Sequence, residues 1–297
     1  MASTHPALKQ SNLLDQFYTN CDVAKTCLDM LSFAEYDLVL EPSAGDGAFF
    51  NLLPKEKRRG VDLAPAHAEI LKQDFFDFEP DIQLRYCVVG NPPFGKNSSL
   101  AVRFFNHAAT FAHKIAFVLP RTFRKPSIIN RLDHQFHLEK ELILPLESFR
   151  LPTGISYSVP TVFQIWERKN KTRKKIKTST AHPDFSFIKI NPHPTEEDKK
   201  AQYQAADFCV RRVGAAAGKI YKDYAEKYRD WKSHYYIKEN TPGVERILNS
   251  IDWNDLDSPK YDTAGNPSIS KHDLISFYIK QKQQHEQFNL NIDTSSL

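Results

Sequence analysis

The sequence predicts an α/β protein with a mixed, mostly parallel sheet, helices on both faces and a closing antiparallel hairpin, followed by a smaller α+β region. Two observations lead to this prediction. Short apolar strand segments alternate with helical segments up to about residue 168, as in a doubly wound sheet. The chain has 297 residues, of which 41% are hydrophobic and 26% charged, which is enough for a sizeable globular core.

Composition also bounds the classes of function. The net charge of +4 is a mild basic bias that permits a nucleic-acid partner without requiring one. The N-terminus lacks an apolar signal core, and no segment approaches the ~18 apolar residues of a membrane span. We therefore expect a soluble, cytoplasmic protein without a membrane partner. The four cysteines form no CxxC pair and the eleven histidines no ligand-like group, so we expect reduced thiols and no metal.

The elements of the first half follow from hydrophobic runs and turn residues. A polar leader (residues 1–12) precedes an amphipathic helix that Asn20 or Asp22 would cap. Beyond it we predict strands at 36–40, 59–63, 87–89, 114–120, 141–145 and 159–167, helices at 48–53, 66–72 and 98–112, an irregular stretch at 131–139, and a hairpin-type loop at 149–157.

The strand at 36–40 runs into an acidic, glycine-bearing loop, Glu41 to Gly47. A strand, a glycine loop and a helix in this order form the first turn of a nucleotide-binding sheet, although many such loops are only tight turns. Asp62 comes 17 residues after Gly45, near the offset at which an acid reaches a ribose. Asp74, followed by Phe75, would suit an adenine amino group; the alternative for each acid is a helix cap or a solvated turn.

The segment around which the chain is organised is residues 87–95, in which a buried strand ends at Asn91-Pro92-Pro93-Phe94. Neither proline can donate to a strand ladder, so the loop is stiff and extended. The Asn91 amide oxygen and the Pro92 carbonyl could accept both hydrogens of a planar NH2 group, with Phe94 stacked on the ring or amide that carries it. Two directed acceptors would localise the nitrogen lone pair, and a sulfonium methyl group held in line at ~3 Å is an electrophile that needs no strong base.

These two loops together resemble those of the S-adenosylmethionine-dependent amino-methyltransferases, in particular the adenine-N6 branch. Asp15-Gln16-Phe17-Tyr18-Thr19 is similar to that branch's N-terminal cofactor motif, in the gamma-type order. The resemblance covers residues 14–168 and implies a Rossmann-like class I methyltransferase fold with S-adenosyl-L-methionine as cofactor.

The resemblance also implies roles for individual residues. The methionine part of the cofactor would be bound by the N-terminal motif and the glycine loop, the ribose by Asp62, and the adenine by Asp74 with Phe75. The target amine would be oriented by the proline-containing loop. The residues implied are Phe17, Tyr18, Thr19, Glu41, Ser43, Ala44, Gly45, Asp46, Gly47, Asp62, Asp74 and Phe75 for the cofactor, and Asn91, Pro92, Pro93 and Phe94 for catalysis.

A basic stretch divides the chain, since seven of the ten residues 168–177 are lysine or arginine. We predict a catalytic domain at 1–168, a linker at 169–181 that is either solvated or contacts phosphates, and a substrate-recognition or accessory region at 182–297. In the last region we predict strands at 207–213 and 233–237, a helix at 242–251 and a fraying tail beyond Gln281. Tyr221, Tyr224, Tyr228 and Trp231 form a helical stripe, which is either core or a stacking surface for bases.

Three substrates remain open for this chemistry. Adenine N6 in DNA leads, because the basic linker and Arg211-Arg212 favour a polyanion. Adenine in RNA would present the same amine. A protein glutamine offers the same NH2 group. It is ranked lower, because the glutamine methyltransferases that share this loop usually carry their extra domain at the N-terminus, whereas the extra region of this chain is C-terminal. A non-enzymatic relic ranks last, since every position from Asn91 to Phe94 is intact.

Overall fold

The computed structural model describes residues 17–151, 153–189, 191, 193–222, 230, 232–263 and 265–295. The chain divides into two compact units, Met1–Ile176 and Lys177–Leu297. The boundary between the units falls inside the linker predicted at 169–181. The catalytic role of the first part and the substrate-recognition or accessory role of the second remain predictions. The elements of the first unit are β1 (Tyr18–Thr19), α1 (Cys21–Leu28), β2 (Leu38–Glu41), β3 (Arg58–Asp62), β4 (Leu71–Lys72), β5 (Tyr86–Gly90), α2 (Ser99–Ala108), β6 (Lys114–Pro120), α3 (Pro126–Ile129), β7 (Phe136–Ile143), β8 (Phe149–Arg150), β9 (Ser156–Tyr157) and β10 (Thr161–Arg168).

The central sheet has seven strands in the order β4-β3-β2-β5-β6-β10-β7. The pairs from β4 to β6 are parallel, and β10 runs antiparallel to both of its neighbours. This order confirms the predicted mixed sheet with its closing antiparallel hairpin. It is the strand order of the Rossmann-like class I methyltransferase fold.

Helices cover both faces of this sheet, as the alternating pattern predicts. On one face α2 packs its apolar side, including Phe105, against a cluster that contains Val88 and Trp166. On the other face α1 packs Ala24 and Cys27 against a second cluster. All five residues of β5 are buried, because a central parallel strand faces a helix layer on each side.

Three predicted elements of the first unit differ clearly from the structure. Residues 48–53 form only a short 3-10 turn at Phe50–Leu52, because Pro54 follows at once. The helix predicted at 66–72 is wrong, since Leu71–Lys72 pairs in parallel with β3. The stretch 131–139 is not irregular throughout, because its last residues belong to β7, an edge strand.

A separate three-stranded sheet joins the N-terminal segment to the loop before β10. It has the order β1-β8-β9, with Tyr18 opposite Arg150 and Phe149 opposite Tyr157. The loop predicted at 149–157 is therefore a hairpin that β1 extends by one strand. Asp15 and Gln16 of the N-terminal motif lie outside the described residues.

The second unit is an antiparallel sheet with helices. Its elements are β11 (Phe185–Phe187), α4 (Glu196–Ala205), β12 (Phe208–Arg211), β13 (Ile220–Tyr221), β14 (His234–Glu239), α5 (Val244–Asn249) and α6 (Lys271–Ser295), with the sheet order β11-β14-β12-β13. Its core includes Val210, Ile237 and Leu274. The predicted fraying tail is wrong, because α6 continues to Ser295. Tyr221 lies in β13, and Tyr224, Tyr228 and Trp231 fall outside the described residues.

Part of the basic stretch is folded onto the first unit. The half-buried Arg173 guanidinium donates to the carbonyl oxygens of Ile129 (2.5 Å) and Leu132 (2.8 Å). Arg173 is thus engaged by the backbone. The lysines of the stretch, Lys169, Lys171, Lys174, Lys175 and Lys177, are exposed.

The described ranges contain neither a membrane-spanning helix nor a cluster of metal ligands. None of their helices combines the length and apolar character needed to cross a membrane. The same residues contain no group of three or more His, Cys, Asp or Glu side chains arranged to hold a metal ion.

Candidate active site

A cavity of about 410 Å³ opens at the carboxyl ends of β2, β3 and β5. That size lies in the range of about 300–1,000 Å³ typical of small-molecule sites. Strand ends gather there because parallel strands finish at the same edge of a sheet. The lining residues are Phe17, Tyr18, Pro42, Ser43, Gly45, Asp62, Leu63, Ala64, Gln73, Asp74, Phe75, Phe76, Asn91, Pro93, Leu100, Arg103 and Phe104.

The glycine loop after β2 is held by short backbone contacts. Gly45 and Gly47 have φ angles of +49° and +85°, which side-chain-bearing residues rarely adopt. A Cβ atom at Gly45 would lie 3.0 Å from the Tyr18 ring. The Gly47 amide donates to the Ala44 carbonyl at 2.7 Å. The loop is therefore a tight turn on which the Tyr18 ring rests.

Asp62, at the end of β3, organises this loop. One carboxylate oxygen accepts from the Gly45 amide at 2.8 Å, and the other accepts from the Ala64 amide at the same distance. Each oxygen has a second lone pair. Asp62 thus fixes the loop and still presents acceptor capacity to the cavity that it lines.

Asp74 and the residues after it form the far wall of the cavity. Asp74 caps the 3-10 turn Phe75–Asp77 and accepts from the Phe76 amide at 2.9 Å. Asp74 is therefore a helix cap, which was the alternative to its role in binding an adenine. The Phe75 ring is buried against Phe104, with ring centroids 5.1 Å apart. Arg103 lies over the half-buried Phe76 ring at 4.5 Å.

Asn91 is held in one orientation by its neighbours. Its side-chain Nδ2 donates to the Phe17 carbonyl at 3.3 Å, and its own carbonyl accepts from the Ser43 hydroxyl at 3.0 Å. Its side-chain Oδ1 is buried and has no hydrogen-bond partner among the described residues. A buried acceptor without a partner costs about 1–3 kcal/mol, which a ligand donor would recover.

The backbone beyond the prolines is unusual. Gly95, Asn97 and Ser98 all have positive φ angles (+67°, +53° and +62°). Ser98 occupies the N-cap position of α2, but its hydroxyl bonds to that of Thr122 at 2.7 Å and does not cap the helix. Left-handed backbone at residues other than glycine is strained and concentrates at functional sites.

Glu41 ends β2 directly below the cavity and is 2% exposed. Burial raises the pKa of its carboxyl well above the ordinary value; the Phe50 amide opposes this shift, and Asp46 and Asp62 add to it. Its Oε2 has no hydrogen-bond partner in the described chain. Its Cγ would lie 3.0 Å from a Cβ at Gly90, where φ is +151°.

The small sheet ties the N-terminal strand to the glycine loop. Arg150 pairs with Asp46 at 2.5 Å, and the Phe17 and Tyr157 rings are stacked 4.6 Å apart at 8°. Burial raises the pKa of the Tyr18 hydroxyl, with further contributions from the charges of Asp46 and Asp62. Strand β1 is therefore anchored at both ends beside the cavity.

Some of the predicted site residues line the cavity and others do not. Those that line it are Phe17, Tyr18, Ser43, Gly45, Asp62, Asp74, Phe75, Asn91 and Pro93, and those that do not are Thr19, Glu41, Ala44, Asp46, Gly47, Pro92 and Phe94. Thr19, Ala44 and Pro92 are buried. Phe94 supports α2, since its carbonyl accepts from the Leu100 and Ala101 amides at 3.2 Å.

Sequence reasoning missed several lining residues. Leu63 and Ala64 directly follow Asp62 at a strand end, so their place in the chain was a usable signal. Leu100 and Phe104 stand four residues apart within the helix predicted at 98–112, so their helical spacing was a usable signal, and Arg103 of the same helix also lines the cavity. Gln73 carried no signal, because its position depends on the pairing of β4 with β3.

Comparison with known proteins gives matches at the level of structure. No family model and no curated protein matches the chain. A proposed RNA methyltransferase from Pyrococcus horikoshii is 17% identical, with a TM-score of 0.41 over 52% of this chain and 88% of that one. The modification subunit of a proposed type I restriction enzyme from Vibrio vulnificus is 13% identical (TM-score 0.41, 90% of this chain, 63% of that one). The 23S rRNA methyltransferase ErmE is 12% identical (TM-score 0.38, 90% and 99%). At such values, the activities in these names describe those proteins alone.

Proposed function

We propose that the chain binds S-adenosyl-L-methionine in the cavity and transfers its methyl group to the N6 amine of adenine in DNA. The bound cofactor would supply an electrophilic methyl group on a sulfonium. The donor set fits such a ligand: Asp62 offers acceptor lone pairs to a ribose, and the Gly45 loop allows close approach. Phe75, Phe76 and Phe104 supply an apolar wall for a base.

The observation that carries the proposal is the orientation of Asn91. Nδ2 donates to the Phe17 carbonyl, the backbone carbonyl accepts from Ser43, and the buried Oδ1 has no hydrogen-bond partner among the described residues. A planar NH2 group would donate to it. This hydrogen bond would hold the amine in place and raise the electron density on its nitrogen, which would face the methyl group. The proton would leave to water after transfer.

Adenine within a nucleic acid is the favoured carrier of this amine. The target base would be turned out of the stack to reach the cavity, as enzymes that modify bases require. The five exposed lysines between residues 169 and 177 favour a polyanion over a protein substrate. They do not separate DNA from RNA, so the test must do so.

The decisive test uses methyl-labelled cofactor with the full chain and separate pools of DNA, RNA and protein. The expected result is label in DNA, recovered as N6-methyladenine after digestion. Label on RNA adenine would support methyl transfer to the N6 amine and would contradict DNA as the substrate. Label only on cytosine, or only on protein glutamine, would overturn the proposal.

A variant separates catalysis from cofactor binding. Asn91→Ala should lower the rate of methyl transfer by at least about 100-fold, because it removes a preorganised acceptor, while the Kd for the cofactor measured by calorimetry stays within about threefold. Asp62→Ala is the matched contrast, since it should weaken cofactor binding first. Equal loss of both properties in Asn91→Ala would contradict the catalytic role.

A further inference from the structure

The second unit carries a group of positive charges that lie against aromatic rings. The Lys271 ammonium nitrogen lies 4.4 Å from the Phe187 ring centroid, and the Arg212 guanidinium carbon lies 5.2 Å from that of Tyr235. The two rings contact each other, with centroids 5.3 Å apart at 67°. We call Phe187, Lys189, Arg212, Tyr235 and Lys271 the basic-aromatic cluster.

The fold brings these residues together at one end of the second sheet. Phe187 is the last residue of β11, and Arg212 directly follows β12. Tyr235 is the second residue of β14, and Lys271 is the first residue of α6. Phe187 and Tyr235 belong to the edge of the apolar core that α6 covers. The Tyr235 hydroxyl donates to the Ile269 carbonyl at 3.1 Å, which fixes the ring under Arg212.

Among the described residues, no carboxylate forms an ion pair with the cations of the cluster. In the part of the chain that the structure describes, Lys189, Arg212 and Lys271 form no ion pair, and the buried Arg212 Nε has no hydrogen-bond partner. Asp273 is the carboxylate whose negative charge contributes to the raised pKa of Tyr235, after burial of the hydroxyl. It is 8% exposed and accepts a hydrogen bond from the Ser270 amide at 2.8 Å. Asp273 is therefore used by the start of α6.

The positive charges of the cluster repel one another, and Lys271 is the group most affected. Burial lowers the pKa of its ammonium, and the positive charges of Arg212 and Lys189 lower it further. Bringing like charges together costs free energy. Binding an anion would offset that cost, and cations held over rings are already oriented for it.

We propose that the basic-aromatic cluster binds the phosphodiester backbone of the nucleic-acid substrate. This inference rests on the proposed function and assigns a phosphate-binding surface to the second unit. Arg212 would donate to a phosphate oxygen through its guanidinium group, which the Tyr235 ring holds in place, and the two lysines would act as point charges. Contacts of this kind position a nucleic acid without reading its sequence.

The test compares two double variants of the full chain. Lys189→Gln with Lys271→Gln removes two charges of the cluster. Lys219→Gln with Lys280→Gln removes two exposed charges that also lie near rings, at 5.3 Å from Tyr221 and 5.7 Å from Phe277, but outside the cluster. Binding of a labelled 20-base-pair DNA, the probe used, is followed by fluorescence anisotropy between about 50 and 200 mM salt.

The cluster variant should bind DNA about tenfold more weakly, and its slope of log K against log salt should fall by about 1.8, for two lost phosphate contacts. The control variant should lose clearly less of both. Lys189→Arg with Lys271→Arg should restore binding and so exclude misfolding as the cause.

Each contrary outcome is distinct. Wild-type affinity and slope in the cluster variant, with methyl transfer to DNA intact in the wild type, would overturn the cluster and leave the proposed function standing. A wild type that neither binds nor methylates nucleic acid would overturn both. Loss of binding to phosphatidylserine vesicles, with unchanged DNA binding, would overturn the inference in favour of a membrane surface.

Discussion

At the scale of single residues, the first consequence concerns the carboxyl of Glu41. Because its folded-state pKa is raised, the folded protein keeps a proton that the unfolded chain loses above about pH 4.3. Stability without cofactor should therefore fall as pH rises from that value toward the folded-state pKa. Glu41→Gln should abolish this dependence and melt above the wild type by a margin that grows with pH, as measured by thermal unfolding at several pH values.

Glu69 provides a contrast of opposite sign. Its pKa is lowered by the hydrogen bond and charge of Arg58, so its contribution is present above its unfolded pKa and is lost in acid. Glu69→Gln should therefore lower the melting temperature at neutral pH.

For the first prediction, a Glu41→Gln variant that melted below the wild type at every pH measured would contradict the raised pKa of Glu41.

A second prediction concerns close packing at Gly218. A Cβ atom there would lie 2.3 Å from the Trp253 ring, at a φ of +97°. Gly218→Ala should therefore lower the free energy of unfolding by about 3 kcal/mol, through overpacking and backbone strain. Gly265→Ala is the matched control, because nothing lies within 4 Å of its Cβ position; its effect should stay within about 0.5 kcal/mol in denaturant titrations. Equal effects would contradict the packing.

At the scale of elements, the three-stranded sheet β1-β8-β9 connects the hairpin to the glycine loop through Arg150 and Asp46. Breaking this pair should loosen the Tyr18 side of the cavity. Arg150→Gln should raise the Kd for S-adenosylmethionine about fivefold, and Asp46→Asn should add little to it, because the two residues act as a pair. Calorimetric titration of both single variants and the double variant measures the coupling.

Arg85→Gln is the control for charge loss, since Arg85 forms a 3.6 Å surface pair with Glu35 elsewhere in the unit. It should leave cofactor affinity unchanged, as isolated surface pairs contribute little. Additive effects of Arg150→Gln and Asp46→Asn would rule out coupling through this ion pair.

The same scale explains which elements the sequence could predict. Strands β5, β6 and β10 were predictable because central strands are runs of buried β-formers such as Val88, Val118 and Phe163. Strand β7 was missed in part because an edge strand is polar and half exposed. Strand β4 is only two residues long and exists through pairing with Val61 and Asp62, which local propensity does not report.

In the candidate site, too, some features could be predicted from the local sequence and others depend on tertiary contacts. Asn91, Asp62 and the glycine loop were predictable because their chemistry is attached to strand ends, and strand ends converge. The pairing of Arg150 with Asp46 spans 104 residues, so it depends on the completed fold. The free Oδ1 of Asn91 could be found only once the Phe17 carbonyl was placed.

At the scale of the whole molecule, each unit has apolar clusters of its own. We therefore expect two transitions in calorimetric unfolding. Saturation with cofactor at about 100 times its Kd should stabilise the first unit by about 2.7 kcal/mol and leave the other transition in place. Gly218→Ala should lower only the transition that the cofactor does not move. One transition that shifts as a whole in both experiments would contradict independent units.

The position of β10 has a consequence for biosynthesis. This strand is the last of the central sheet to leave the ribosome, yet it fills the gap between β6 and β7. Until residue 168 has emerged, the Lys114–Pro120 edge of a growing chain stays open, although six of its seven residues are buried once the sheet is complete. An unpaired apolar edge recruits strands from other chains. Released chains that are truncated within the hairpin at 149–157 should therefore aggregate and depend on chaperones, whereas chains truncated after residue 176 should not.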